Sequence, residues 1–146
     1  MNNNNQQTEL SYYGLYLLKY LQENHPDKSN DSDFIQERAD QAAAVFEQAR
    51  LEGYSPDGAQ ELAMATLLER LYFSPYNTLI EILWNEFEDE VEPSDAPALA
   101  LELLSAFADI ISGYTISDDF AQSPEYDTLY TELTGATVTY FEQNGI

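Results

Sequence analysis

The densest group of side chains able to do chemistry is Glu86-Phe87-Glu88-Asp89-Glu90-Val91-Glu92, five carboxylates in seven residues. Carboxylate oxygens are hard donors, so such a run could hold a divalent cation. It could equally present negative charge to lysine and arginine on a partner protein. Phe87 and Val91 interrupt the acids and are expected to point inward. Glu86, Glu88, Asp89, Glu90 and Glu92 then form a solvated helix end. Carboxylates there oppose the helix dipole, an arrangement that works against local stability and favours a partner as its reason. These five are the candidate partner-binding residues.

Other groupings are weaker. Asp27, Ser29, Asp31 and Asp33 have the alternating spacing that opens an EF-hand loop. The pattern then fails, because Ser32 stands where the glycine turn belongs and Arg38 where the bidentate glutamate belongs. His25 is the single histidine. It lies between a helix end and Pro26, a place suited to capping and lacking a neighbouring nucleophile. With 27 acidic residues in the chain, carboxylate pairs of the glycosidase kind arise by chance. There is no cysteine, no phosphate-binding glycine loop, no zinc-protease motif and no nucleophile elbow. No catalytic residue, metal ligand or cofactor site is assigned.

The elements that must position these residues are helical. After a polar Asn/Gln tail over 1–8, expected to be disordered, a single all-helical domain is expected over 9–146. Hydrophobic periodicity gives six helices: about Glu9 to Asn24, Asp33 to the stop at Gly53, Pro56 to Tyr72, Pro75 to Glu90, Ala96 to Ser112, and Pro124 to Asn144. Asp33 and Gln36 loosely match a capping box. Three starts repeat one device, Ser55-Pro56, Ser74-Pro75 and Ser123-Pro124. Serine accepts from the first free amides, and proline costs nothing at the first helical position. Leu79, Ile80, Leu83, Trp84 and Phe87 are expected in the core. Gly14 and Gly135 fall inside helices, where close packing against a neighbour is the expected reason. The fold class is all-α, a compact multihelical bundle with non-repetitive connections.

Charge is uneven. Lys19, Lys28, Arg38, Arg50 and Arg70 are all the basic residues, so the first 70 positions carry −7 and the remaining 76 carry −15. Such acidity repels nucleic acid and anionic membrane and attracts basic proteins. The amino terminus lacks the pattern of a signal peptide and no stretch is long enough to span a membrane, so a cytoplasmic protein is expected.

Two strings are distinctive: Thr78-Leu79-Ile80-Glu81-Ile82-Leu83-Trp84-Asn85-Glu86-Phe87, and Asp118-Asp119-Phe120-Ala121-Gln122-Ser123-Pro124-Glu125-Tyr126-Asp127, continuing from Leu129 through Gly135. They resemble a family of small acidic all-helical Bacteroidetes proteins, a domain of unknown function often encoded near conjugative mobile elements. The resemblance runs from about Ser11 to Gly145. It implies a multihelical fold, a link to mobile-element biology, and no catalytic residues to carry over. The leading reading is a non-enzymatic acidic interaction or accessory module with a basic protein as partner. One alternative is a DNA mimic, with Glu81, Glu88 and Glu92 forming a row on one helix and Glu102 and Asp109 on the next. Another is an enzyme using only carboxylates and tyrosines.

Overall fold

Serine-proline pairs open three of the described helices, and glycines close three. The computed structural model describes residues 11–145, so the expected disordered tail lies outside the described residues. Among them are seven α-helices, three short 3-10 turns and no strand. The protein is all-α. Its contacts divide it into two units, one ending at Glu69 and the other beginning at Arg70.

The first unit holds α1 (Tyr12–Asn24), α2 (Ser32–Leu51) and α3 (Pro56–Leu67). Ser11 caps α1 by accepting from the Gly14 amide at 3.1 Å. Asp31, not Asp33, caps α2: its carboxylate accepts from the Phe34 amide, and Gln36 donates instead to Asp40 one turn on. Asp33 instead lies within the first turn of α2, where its charge suits the helix dipole. At the far end, Gly53 has φ +100°. The Gly53 amide donates to Arg50 and the Tyr54 amide to Ala49, the double bond of a Schellman stop. Ala39, Ala42 and Ala49 of α2 and Ala59 and Ala63 of α3 are buried. Small side chains on the buried faces let α2 and α3 pack closely.

α3 stops at Leu67, five residues before the expected end at Tyr72. The reason is not local. The Arg38 guanidinium reaches from α2 and donates to the carbonyls of Thr66, Leu67 and Glu69 at 3.3, 3.0 and 2.8 Å. A cation is the favoured partner for the negative end of a helix.

The second unit holds α4 (Pro75–Glu86), α5 (Ala96–Ala106), α6 (Ala108–Ser112) and α7 (Pro124–Asn144). Ser74 caps α4, as expected, through the Asn77 amide at 3.0 Å. Ser55 does the same for α3 through Gly58. Ser123 departs from the pattern, because its hydroxyl donates backwards to the Phe120 carbonyl at 2.7 Å. The helix expected over Ala96 to Ser112 is broken at Phe107, whose ψ of 18° ends α5. Phe107 itself is buried in the core. α7 has the expected bounds and stops at Gly145, φ +72°. The core joins Leu79, Ile82 and Leu83 of α4, Leu103 of α5, and Leu129, Leu133 and Phe141 of α7. Phe73 and Phe120 meet edge to face at 4.9 Å, and Phe87 and Phe141 at 5.1 Å.

Two core expectations fail. Trp84 is 50% exposed, because Ile82 takes the inward position and Trp84 lies about 200° further round the helix. Gly135 is exposed, and a Cβ there would meet nothing within 4 Å. Close packing is not its reason.

Candidate interaction surface

α4 ends at Glu86 with Phe87 as its C-cap, four residues short of the expected end. The acidic run is therefore a turn and not a helix end. Phe87 and Val91 are buried, as expected, and the Val91 amide closes the turn on the Phe87 carbonyl at 2.9 Å. Those two anchors leave Glu86, Glu88, Asp89, Glu90 and Glu92 exposed. Of the five, only Glu86 sits at the end of the helix, so the dipole argument applies to that residue alone. A 3-10 turn, Pro93–Asp95, leads into α5. Trp84 links the two ends of the acidic stretch, its indole N–H donating to the Pro93 carbonyl at 3.4 Å.

The earlier break in α4 also separates Glu88 and Glu92 from Glu81, and the bend at Phe107 puts Glu102 and Asp109 on different helices. Neither expected acidic row of a DNA mimic therefore lies along a single helix. Among the described residues no group of three or more histidine or acidic side chains is arranged to hold a metal ion. Asp27 and Asp31 of the EF-hand-like stretch are used locally, Asp27 beside the Lys28 ammonium at 3.7 Å and Asp31 as a cap. His25 is buried and serves as the C-cap of α1 through its backbone, with its ring 6.3 Å from that of Tyr20.

Carboxylates of the second unit find donors in tyrosines. Tyr126 donates to Glu81 at 3.3 Å and Tyr130 to Glu86 at 3.0 Å, joining α7 to α4. Tyr140 donates to Glu102 of α5, and Tyr114 to Glu132 at 2.6 Å. All four hydroxyls are held above the ordinary tyrosine range. For Tyr126 and Tyr130 burial is the larger cause and the neighbouring carboxylate the lesser. For Tyr114 and Tyr140 the hydrogen bond to the glutamate leads. A phenol that prefers to stay protonated beside a carboxylate is a poor base at neutral pH, and these pairs work as fasteners.

Asp118 is a further anchor that sequence reasoning missed. Its two oxygens accept from the Arg70 amide at 2.9 Å and the Tyr72 amide at 3.2 Å. Arg70 has φ +68°, a left-handed conformation unusual for a side chain of that size. The partners are 46 and 48 residues apart, so no local signal announces them. The tyrosine pairs left a fainter trace, since Tyr126 and Tyr130 are one turn apart on α7 and face glutamates at nearly the same spacing on α4.

Open hollows among the described residues include those lined by Asp127, Thr128, Thr131 and Glu132 and by Phe107, Ala136, Tyr140 and Gln143. Neither brings together a nucleophile, a base and an oriented third group. No described helix is long and apolar enough to cross a membrane.

The solved structure of protein PG0816 from Porphyromonas gingivalis is similar, with a TM-score of 0.87 and 40% sequence identity over 97% of this chain and 96% of that one. No curated protein matches the chain. The model of a domain of unknown function, DUF1896, matches residues 5–146. With the sequence, the helical fold and the Porphyromonas structure in agreement, the chain belongs to the DUF1896 family.

Proposed function

We propose that the protein is a non-enzymatic interaction module of the cytoplasm that docks the acidic turn after α4 on a basic protein. One observation carries this reading. Five exposed carboxylates stand on a turn anchored by the buried Phe87 and Val91, in a stretch of chain with no lysine or arginine after Arg70. Fixed charges of one sign on a rigid base steer an oppositely charged partner and are not neutralised from within their own unit. The tyrosine hydroxyls that satisfy Glu81, Glu86 and Glu102 bring hydrogen bonds without cancelling charge.

Affinity capture from native cells at low and high ionic strength tests the reading, with the quadruple variant Glu88→Gln, Asp89→Asn, Glu90→Gln, Glu92→Gln alongside. The expected result is a basic partner held at low salt, released at high salt, and lost by the variant. A partner held equally under all three conditions would place recognition elsewhere on the molecule.

A further inference from the structure

The half-exposed Trp84 gives the acidic turn a feature that charge alone does not require. A core-forming helix gains by burying its largest aromatic residue, since a tryptophan removes more apolar surface from water than any other side chain. Here Trp84 remains 50% exposed while Ile82 and Leu83 on either side of the core-facing stripe are sealed. The ring is not loose. Its N–H donates to the Pro93 carbonyl at 3.4 Å, which ties the indole to the far end of the stretch that carries Glu86, Glu88, Asp89, Glu90 and Glu92. No ring among the described residues stacks on it: the aromatic contacts of this unit involve Phe73, Phe87, Phe107, Phe120, Phe141 and the tyrosines.

An exposed indole tied to both ends of an acidic turn is chemically suited to a cation with a flat apolar face. Tryptophan offers the strongest π-face to a cation. A guanidinium stacks on such a face and still directs its N–H groups sideways to carboxylates, whereas an ammonium is a compact, strongly hydrated point charge. The protein uses this chemistry once already in its first unit, where the Arg38 guanidinium lies 4.9 Å over the Phe34 ring. The chain from residue 71 onward has no cation to occupy Trp84. We infer that Trp84 and the acidic turn form an arginine-reading site, in which an arginine of a basic partner segment stacks on the indole while its neighbours pair with the carboxylates. The inference rests on the proposed docking function and adds the residue type that is read.

Trp84 is the chain's only tryptophan, so its fluorescence reports this site alone. The full chain is titrated at low salt with two peptides of equal length and charge, one of alternating arginine and glycine and one of alternating lysine and glycine. Calorimetry gives the affinities. The arginine peptide is expected to alter Trp84 emission and to bind about two- to fivefold more tightly than the lysine peptide. Trp84→Leu should bind both peptides equally, and Trp84→Phe should keep part of the preference. Circular dichroism checks each variant's fold, and retained helicity is the expected result because Trp84 is half-exposed. Equal affinity for the two peptides in the parent chain would overturn the arginine-reading site while leaving the docking function standing. No salt-sensitive binding of either peptide would overturn both.

Discussion

At the scale of single residues, Gly135 is an unforced weakness. It lies in the interior of α7, exposed, with open space where a Cβ would stand. Glycine there costs conformational entropy that alanine does not. Gly135→Ala should raise stability by about 0.5–1 kcal/mol in urea unfolding, and a loss would mean that α7 has a neighbour at this point after all. Asp118 is the opposite case, two hydrogen bonds concentrated in one carboxylate. Asp118→Ala should cost about 1–2 kcal/mol, against Glu88→Ala, which removes the same charge from the acidic turn. Equal effects would show that the loss is one of charge and not of the bonds to Arg70 and Tyr72. The contrast between these residues also marks what sequence can reveal. Ser55 and Ser74 cap as their Ser-Pro context foretells because capping spans only three residues. Asp118 was opaque because the amides it binds lie nearly a third of the chain away.

At the scale of elements, starts were legible and several ends were not. α7 matched at both termini, since proline opens it and a left-handed glycine closes it. The ends of α3 and α4 carry neither signal. α3 is stopped by Arg38 from the adjoining helix, whereas α4 ends where Phe87 leaves the helical conformation, at φ −132°, and the Val91 amide turns back on its carbonyl. The consequence for the candidate site is direct: its five acids were legible, but their place on a turn beside an exposed tryptophan was not. How α7 is fastened yields a pH prediction. Tyr126 and Tyr130 tie it to α4, and both hydroxyls have folded-state values raised above the ordinary one near 10, by burial first and by Glu81 and Glu86 after it. A raised value favours the protonated phenol in the folded state, so the stability it brings is whole below about pH 10 and is lost as pH climbs through the raised values. Helicity should therefore fall above about pH 10. The double variant Tyr126→Phe, Tyr130→Phe should show a shallower alkaline loss by circular dichroism. Identical alkaline profiles would assign the loss to other tyrosines among the 11 in the chain.

At the scale of the whole molecule, the decisive quantity is the formal charge of −22. Salt acts on two opposing sets of interactions, weakening attractive pairs and screening repulsive ones. The attractive set is small: among the described residues the ion pair between a lysine or arginine and a carboxylate is Lys28 with Asp27, at 3.7 Å and exposed, a class of contact that contributes about 0–1 kcal/mol. The tyrosine bonds to Glu81, Glu86 and Glu102 involve neutral donors and respond weakly to ionic strength. The repulsive set is large, since carboxylates are fixed on the folded body and are spread apart when the chain unfolds. Raising sodium chloride from about 0.01 M to about 1 M shortens the screening length from about 30 Å to about 3 Å. Repulsion should fade faster than attraction over that range, and the melting temperature should rise. A neutral osmolyte series at matched water activity separates screening from general exclusion effects. The quadruple amide variant of the acidic turn should show a smaller rise, because it begins with four fewer charges in the densest region. A melting temperature that falls with salt would mean that paired charges, not crowded like charges, dominate the electrostatics of this fold, and the acidic turn would lose its claim to be an unneutralised field.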